Sequence, residues 1–220
     1  MLFLDWEKAF DKISHPSLHS ALVSFGLDPM YIRMIDALYE KPHFTVAAGG
    51  KSSKEHKAST GIRQGCPLSP YLFLFVHSAI MNLVDTQVEE KLGFTPWIHS
   101  ANTPLSQLAY ADDTLIIGRT ASTVSTILQT IEEVAAQFNL RLNRGKCELI
   151  RIHSDNDVFF HTAPDAQQKV PVVAKAKCLG MIISEDGRPT RNLTDRIAKG
   201  TAAMKHLTKF WRHSSLSQRW

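Results

Sequence analysis

The tetrapeptide Tyr110-Ala111-Asp112-Asp113 limits the possible folds of this chain more than any other feature, because it sets two carboxylates side by side between short apolar runs at 106–109 and 114–118. In a strand or a tight turn, successive side chains point to opposite sides, so Asp112 and Asp113 cannot both enter a core. The pattern predicts a hairpin whose tip holds at least one carboxylate in a surface cleft. Like charges this close repel, and a divalent cation with oxygen ligands relieves the repulsion. A metal site is the resulting hypothesis.

The charge of the chain is unevenly distributed. Its 220 residues are 44% hydrophobic and 21% charged, which is typical of a globular protein, and the net charge is +4. After residue 187 there is one acid, Asp195, against eight basic residues: Arg188, Arg191, Arg196, Lys199, Lys205, Lys209, Arg212 and Arg219. A basic tail beside a metal-binding core indicates a polyanionic partner such as nucleic acid. Taken alone, the same run favours a solvated helix face.

The cysteines and the start of the chain favour an intracellular protein, in the nucleus or the cytoplasm. Cys66, Cys147 and Cys178 form no CxxC pair, which is typical of reduced and inert thiols. Charged residues interrupt the first ten positions, so no secretory signal is expected, and the most apolar stretch, 72–84, is too short to span a bilayer. The chain opens directly on an apolar strand, from which we expect a piece of a longer protein.

Hydrophobic periodicity predicts an α+β fold. We expect a helix at 17–25 and a second that begins at Asp28-Pro29, then a hairpin of strands 43–48 and 56–60. Ser69 is expected to cap a helix at 71–91, and Ser122 a helix that ends near Phe138. Strands are predicted at 147–152, 170–173 and 178–183, followed by a basic helical region at 193–211. His15 and His19 are expected to be exposed rather than to bind a metal.

Two further stretches contain candidate functional residues. Asp5 ends the first strand and Asp11 follows at a turn, so either carboxylate could join a metal site or, equally well, cap a helix. The loop 61–70 contains two glycines and two prolines and is therefore rigid, and Arg63 and Gln64 offer donors to phosphate, sugar or base groups. A loop without a function could have the same composition.

Three stretches in a fixed order resemble the palm of a reverse transcriptase. They are Phe3-Leu4-Asp5 through Lys8-Ala9-Phe10-Asp11, the loop 61–70, and Tyr110-Ala111-Asp112-Asp113. The order is most similar to the enzymes of LINE-type (non-LTR) retrotransposons, with group II intron enzymes as the nearest neighbours. Lys146 resembles the fourth palm motif, and Cys178-Leu179-Gly180 resembles the hairpin that grips the primer.

The resemblance implies a palm with an antiparallel sheet backed by helices 71–91 and 122–138. It implies a palm at 1–152 with a fingers-like insertion at about 28–60, a primer-grip hairpin at 153–187, and a basic start of the thumb at 188–220. The fingers segment that precedes the first motif in this family is missing from this sequence, and the thumb is short. An isolated palm of this kind is expected to be weakly active or inactive.

The resemblance also implies the chemistry. It predicts RNA-directed DNA polymerisation with two Mg²⁺ ions, or Mn²⁺, on a primer 3′-hydroxyl. The implied partners are an RNA template, a DNA primer and dNTPs, with no membrane association and an undefined oligomeric state. The implied main metal ligands are Asp5 and Asp112, with Asp113 beside them. Phe10 is implied as the gate against a 2′-hydroxyl, Arg63, Gln64 and Gly65 as nucleotide contacts, Lys146 as a general acid or charge stabiliser, and Cys178, Leu179 and Gly180 as the primer grip.

Other interpretations remain open from the sequence. Lys146 could be a solvated strand end, and Asp11 could be structural. The chain could be a catalytically inactive palm-like scaffold that binds nucleic acid, or a decayed retroelement copy. An RNA-templated RNA polymerase is a third possibility, which a bulky residue at position 10 disfavours.

Overall fold

A four-stranded antiparallel sheet carries the tetrapeptide and the strand before Asp5. The computed structural model describes residues 1–40, 42–96, 98–100, 103–105, 107–161, 168–188 and 190–213. The sheet has the order β10-β1-β9-β8. Its strands are β1 (Leu2–Leu4), β8 (Gln107–Tyr110), β9 (Asp113–Ile116) and β10 (Glu148–Leu149), numbered in chain order among the strands of the described residues.

Helices cover one face of this sheet. The main core joins Leu2, Leu4 and Ile116 of the sheet to the buried sides of two long helices. The helices in the described ranges are α1 (Ala9–Lys12), α2 (His15–Ser24), α3 (Pro29–Tyr39), α4 (Ser69–Leu92), α5 (Ala121–Gln137) and α6 (Thr190–His213). The two long helices in the core are α4 and α5, so the predicted α+β palm with an antiparallel sheet backed by helices is confirmed.

A hairpin covers part of the opposite face. Its strands are β11 (Lys175–Cys178) and β12 (Met181–Ser184). Phe3 and Leu115 point to this side and form a second, smaller apolar cluster with Ile150 and Ala176. Because side chains alternate along a strand, odd-numbered residues of β1 and β9 face the hairpin and even-numbered ones face the helices.

The predicted hairpin near residues 43–60 is present as two short ladders. β2 (His43–Phe44) pairs with β5 (His56–Lys57), and β3 (Ala47–Ala48) pairs with β4 (Lys51–Ser52). A separate pair, β6 (Ile98–Ser100) and β7 (Thr103–Leu105), precedes the tetrapeptide hairpin. Both regions project from the central sheet without sharing its hydrogen bonds.

Two predicted helix caps are wrong. Ser69 is the first residue of α4 rather than its cap, and its hydroxyl donates to the Arg63 carbonyl oxygen. α5 is capped by Thr120, whose hydroxyl accepts from the Thr123 N–H, and not by Ser122. The cap Asp28 and the following proline at the start of α3 agree with prediction.

The predicted strands beyond residue 146 are shorter than expected. Of 147–152 only β10 is a strand, and of 170–173 only Val172 forms a bridge, parallel to Leu149. The segment 178–183 is interrupted by the turn between β11 and β12. These short segments are held by single bridges and side-chain burial, which the apolar pattern alone does not distinguish from a ladder.

The prediction that His15 is exposed is also wrong. Its Nε2 donates to the Gly61 carbonyl oxygen at 3.0 Å, and its ring packs against Tyr39 with ring centroids 5.1 Å apart. His19 is exposed and pairs with Asp36.

The basic region forms α6, as the sequence predicts. The described basic side chains there, Arg188, Arg196, Lys199 and Lys205, are exposed. Ser106 and Arg219, which entered the sequence predictions, lie outside the described residues. In the part of the chain that the structure describes, no helix has the length and apolar character needed to cross a membrane.

Candidate active site

Asp5 and Asp113 lie opposite each other on neighbouring strands. The antiparallel register of β1 and β9 pairs Leu2 with Ile116 and Leu4 with Thr114. One step further along the same register, Asp5 faces Asp113. Both are odd-numbered positions, so both carboxylates lie on the side of the sheet that the β11–β12 hairpin covers. Two carboxylates that are 108 positions apart in sequence are thus neighbours in the fold.

Asp112 has a different environment from Asp113. Tyr110 pairs with Asp113 across the hairpin, so Ala111 and Asp112 form the turn itself. Ala111 adopts a left-handed backbone with φ of 52°, which produces the tight reversal. Asp112, at the tip, and Asp113 are both exposed, but of the two only Asp113 lines a recess beside Asp5. The structure therefore confirms the predicted hairpin tip and assigns the cleft-facing position to the second aspartate.

The carboxylates Asp5 and Asp113 line a recess of about 90 Å³ beneath the β11–β12 hairpin. Lys146 borders it, with its Nζ 3.7 Å from Asp5 Oδ2. The hairpin contributes Lys177 and Cys178. The other lining residues are Phe3, Leu4, Thr114 and Glu148. The sequence did not point to Lys177 or Glu148, because their proximity to Asp5 depends on strand pairing.

Charge accumulates at this recess. Partial burial and the neighbouring carboxylates of Asp112 and Asp5 raise the pKa of Asp113 above its ordinary range. Partial burial and the charge of Asp113 likewise raise the pKa of the Cys178 thiol. A cation placed here would lower the energy of the ionised carboxylates. Lys146 is the nearest cationic side chain to Asp5, but most of it is exposed to water, which weakens the interaction.

The carboxylates fit a magnesium ion that takes its other ligands from elsewhere. Within the described ranges, no group of three His, Cys, Asp or Glu side chains is arranged to hold a metal by itself. Mg²⁺ is commonly bound by one or two carboxylates together with substrate phosphates and water. Asp5 and Asp113 supply oxygen ligands of that kind in an open recess. The donor chemistry therefore matches a metal that binds together with a phosphorylated substrate.

The loop 61–70 is fastened to α1. The Ile62 N–H donates to the Phe10 carbonyl oxygen at 2.7 Å, and Gln64 Nε2 donates to Asp11 Oδ1 at 2.9 Å. Gly61 has φ of +91°, and a Cβ there would lie 2.9 Å from the Asp11 carbonyl oxygen. The cap of α1 is Lys8, so the alternative in which Asp5 or Asp11 caps a helix is wrong. Asp11 instead holds the loop residue Gln64.

Comparison with known proteins identifies the family. The family model described as reverse transcriptase (RNA-dependent DNA polymerase) matches residues 1–183. This chain belongs to the reverse transcriptase family. It is 28% identical over 149 residues to the Retrovirus-related Pol polyprotein from type-2 retrotransposable element R2DM of Drosophila melanogaster, a match that covers 68% of this chain and 13% of the relative. The R2 polyprotein of Popillia japonica is 31% identical over 147 residues, which cover 67% of this chain and 23% of the relative.

The relatives agree with the predicted non-LTR class. The RNA-directed DNA polymerase from mobile element jockey of Drosophila funebris is 27% identical over 156 residues, covering 66% of this chain and 15% of the relative. The chain thus spans less than a quarter of the length of these relatives. The structure of apo telomerase from Candida tropicalis superposes with a TM-score of 0.54 at 13% identity, covering 83% of this chain and 33% of that one. That likeness establishes a shared fold.

The remaining residues implied by the reverse transcriptase resemblance lie in two places, on α1 with the loop 61–70 and at the turn of the β11–β12 hairpin. Phe10 is half-buried on α1 and stacks on Phe73 of α4, with ring centroids 5.0 Å apart and planes at 18°. Arg63 reaches away from α1 and donates to the Leu38 carbonyl oxygen at 3.1 Å. Gly65 has open space where a side chain would be.

Cys178, Leu179 and Gly180 close the hairpin that covers the recess. Leu179 and Gly180 form the turn with positive φ values, and Leu179 is half-exposed at the tip. Cys178 ends β11 and lines the recess beside Asp113. This is the position in which a hairpin could contact the end of a strand bound at the carboxylates.

A buried polar network lies next to the two aspartates, and its partners could not be predicted from the sequence. Trp6 Nε1 donates to Thr114 Oγ1 at 3.3 Å, and that hydroxyl lies 3.1 Å from His77 Nε2. Burial lowers the pKa of His77 to about 4, so the ring is neutral near pH 7. The Thr114 hydroxyl accepts from the indole N–H and shares a second hydrogen bond with Nε2 of the neutral ring, and the ring tautomer sets which of those two atoms donates. Trp6 and Thr114 are the residues that directly follow Asp5 and Asp113.

Proposed function

We propose that this chain provides the palm of an RNA-directed DNA polymerase that adds dNTPs to a primer 3′-hydroxyl on an RNA template. The observation that carries the proposal is that Asp5 and Asp113, one step beyond the last pair of β1 and β9, line the same recess in a member of the reverse transcriptase family. Carboxylates from two strands can share divalent ions while the open recess admits a substrate.

Asp5, Asp112 and Asp113 are the proposed metal ligands. Two Mg²⁺ ions, or Mn²⁺ in their place, would activate the primer hydroxyl and neutralise charge on the triphosphate. Asp5 and Asp113 would hold these ions from the recess, and Asp112 would approach them from the turn. Lys146, beside Asp5, would stabilise the charge of the pyrophosphate or give it a proton.

The residues of α1 and the loop are the proposed nucleotide contacts. Phe10, backed by Phe73, would exclude the 2′-hydroxyl of a ribonucleotide. Gln64, held by Asp11, and Gly65, with its open backbone, would touch the incoming nucleotide and the templating base. Arg63 belongs to the same proposed surface, although its guanidinium is engaged by the Leu38 carbonyl oxygen.

The remaining parts of the chain would bind the template and primer. Residues 1–152 would form the palm with a fingers-like insertion at about 28–60, and residues 153–187 would contain the primer grip at Cys178, Leu179 and Gly180. The exposed basic side chains of α6, at the start of a thumb covering 188–220, would bind the nucleic-acid backbone without regard to sequence.

The test is primer extension on an RNA template with dNTPs and Mg²⁺, using this chain and a version extended at both ends. Asp5→Asn and Asp113→Asn are expected to abolish extension, whereas Glu55→Gln, an exposed carboxylate in the β4–β5 region, is expected to leave it unchanged. Phe10→Ala is expected to raise ribonucleotide incorporation. If neither protein extends a primer while both bind a primer–template hybrid, the catalytically inactive scaffold replaces this proposal.

A further inference from the structure

Two buried residues of α4 contact the proposed sugar gate and a neighbour of the proposed metal ligands. Phe73 and His77 lie four positions apart on one side of the helix and are buried, with 0% and 4% of their surfaces exposed. Phe73 stacks on Phe10, and His77 meets Thr114. Trp6 completes the group, because its ring is edge-on to His77 with centroids 6.2 Å apart.

The contacts of His77 fix the ends of two strands. Thr114 follows Asp113 in β9 and Trp6 follows Asp5 after β1, so the Trp6–Thr114 hydrogen bond joins the two strands immediately beside the opposed carboxylates. His77 Nε2 is hydrogen-bonded to the Thr114 hydroxyl and anchors the pair to α4. All three side chains are nearly fully buried, so water cannot replace a lost partner.

The contact of Phe73 fixes a different group. Its ring lies nearly parallel to that of Phe10, at 18°, and therefore limits the directions in which the half-buried Phe10 ring can turn. Phe73 also contacts His77, with centroids 6.0 Å apart. The helix thus presents one support to the proposed sugar gate and another to the proposed metal ligands.

Building on the proposed function, we infer that Phe73 and His77 are positioning residues: His77 holds Asp5 and Asp113 at metal-binding separation through Thr114 and Trp6, and Phe73 holds Phe10 against the sugar. Neither residue touches a ligand itself. Removal of His77 should weaken metal binding without changing sugar preference, and removal of Phe73 should do the reverse.

The proposed role of His77 is tested by measuring Mn²⁺ binding to the purified chain with electron paramagnetic resonance. Asp5→Asn defines the binding that belongs to this site. His77→Phe, which removes the hydrogen-bonding nitrogen, is expected to weaken that binding by about 10–100-fold, as is typical for partners of ligating residues. His77→Gln places an amide at the position of Nε2 and is expected to restore most of the affinity. Thr114→Val should match His77→Phe, and the double variant should be no worse than either.

The proposed role of Phe73 is tested by measuring the equilibrium competition between dATP and ATP for binding to the same preparation. Phe73→Leu is expected to reduce the preference for dATP by about tenfold, because small displacements of a positioning group have large effects, while Mn²⁺ affinity stays unchanged. Val88→Ala, buried at the far end of α4, is the matched control for lost stability and should move neither quantity.

The outcomes separate the inference from the function on which it rests. If the unmodified chain binds Mn²⁺ through Asp5 and His77→Phe binds it equally well, the positioning role is wrong and the proposed function stands. If His77→Phe, Phe73→Leu and Val88→Ala all change Mn²⁺ affinity and the dATP preference alike, the effect is general destabilisation and the inference is overturned. If the unmodified chain shows no Asp5-dependent Mn²⁺ binding, the proposed function fails first.

Discussion

Gly61→Ala should destabilise the protein more than the same change at Gly65, a glycine of the same loop. Both residues have strongly positive φ values, +91° and +85°, so an alanine at either position is strained by about 1–2 kcal/mol. The lower entropy of the unfolded chain offsets about 0.4–1 kcal/mol of this cost at both positions. The backbone contribution is therefore nearly the same for the two variants.

The difference lies in what the new methyl group meets. At Gly61 the Cβ would lie 2.9 Å from the Asp11 carbonyl oxygen and 3.0 Å from its Cα, whereas at Gly65 nothing lies within 4 Å. The loop cannot easily move away, because the Gly61 N–H donates to the Ile13 carbonyl oxygen at 2.8 Å and the Ile62 N–H to Phe10 at 2.7 Å. Overpacking of a constrained site costs about 1–3 kcal/mol. The free energy of unfolding should accordingly be lower for Gly61→Ala than for Gly65→Ala by that amount.

Urea denaturation followed by circular dichroism measures the difference directly. With a slope of roughly 2 kcal/mol per molar urea, the midpoint of Gly61→Ala should lie about 0.5–1.5 M below that of Gly65→Ala. Equal midpoints would mean that the loop and α1 are not in the close contact described here. A lower midpoint for Gly65→Ala would refute the argument outright.

Substitutions at three other positions, Asp85, Lys146 and Arg144, test separate features. Burial and the nearby Glu89 raise the pKa of Asp85 to about 6, so the folded protein keeps a proton that the unfolded chain loses from about pH 4 upward. The free energy of unfolding should therefore fall as the pH rises from about 4 to about 6. Asp85→Asn should raise the urea midpoint at neutral pH but not below pH 4. Lys146→Arg should preserve primer extension if Lys146 only stabilises charge, and should lower it about 10²-fold or more if Lys146 donates a proton, with Lys146→Met inactive in both cases. Arg144 donates to the Glu132 carboxylate and the His161 carbonyl oxygen. Arg144→Ala should therefore lower the free energy of unfolding by about 2–3 kcal/mol in the same denaturation assay. A substitution of the exposed Arg141 is the control and should change it little.

The helices could be predicted because their signals are local. The apolar spacing in α2 and α5 and the Asp28-Pro29 start of α3 each depend on residues within a few positions of one another. The caps were less predictable, since Thr120 and Ser122 are both good cap residues and only the extended backbone of Thr120 decides between them. The strands after residue 146 depend on partners far along the chain, which a local pattern does not define.

The candidate site was predictable to a similar extent. Adjacent carboxylates and the strand-end position of Asp5 indicated a metal, and the resemblance joined them in one site. The placement of Asp113 rather than Asp112 in the recess depends on a two-residue turn and on strand register. Thr114 and His77 lie inside apolar runs, where they are indistinguishable from ordinary core residues until the partner elements are known. Polar residues in such runs are the one signal that could have suggested a buried network.

The loop 61–70 connects the stability of the fold to the geometry of the site. Ser69, the first residue of α4, donates to the Arg63 carbonyl oxygen, and the loop is bonded to α1 at Phe10 and Asp11. α4 in turn holds Phe10 through Phe73 and the carboxylate strands through His77. A displacement of the loop is therefore transmitted to the proposed sugar gate by two routes, directly through α1 and through α4. If this is correct, Gly61→Ala should reduce the preference for dATP even under conditions in which the variant is fully folded, while Gly49→Ala, a positive-φ glycine with open space in the β3–β4 turn, should not.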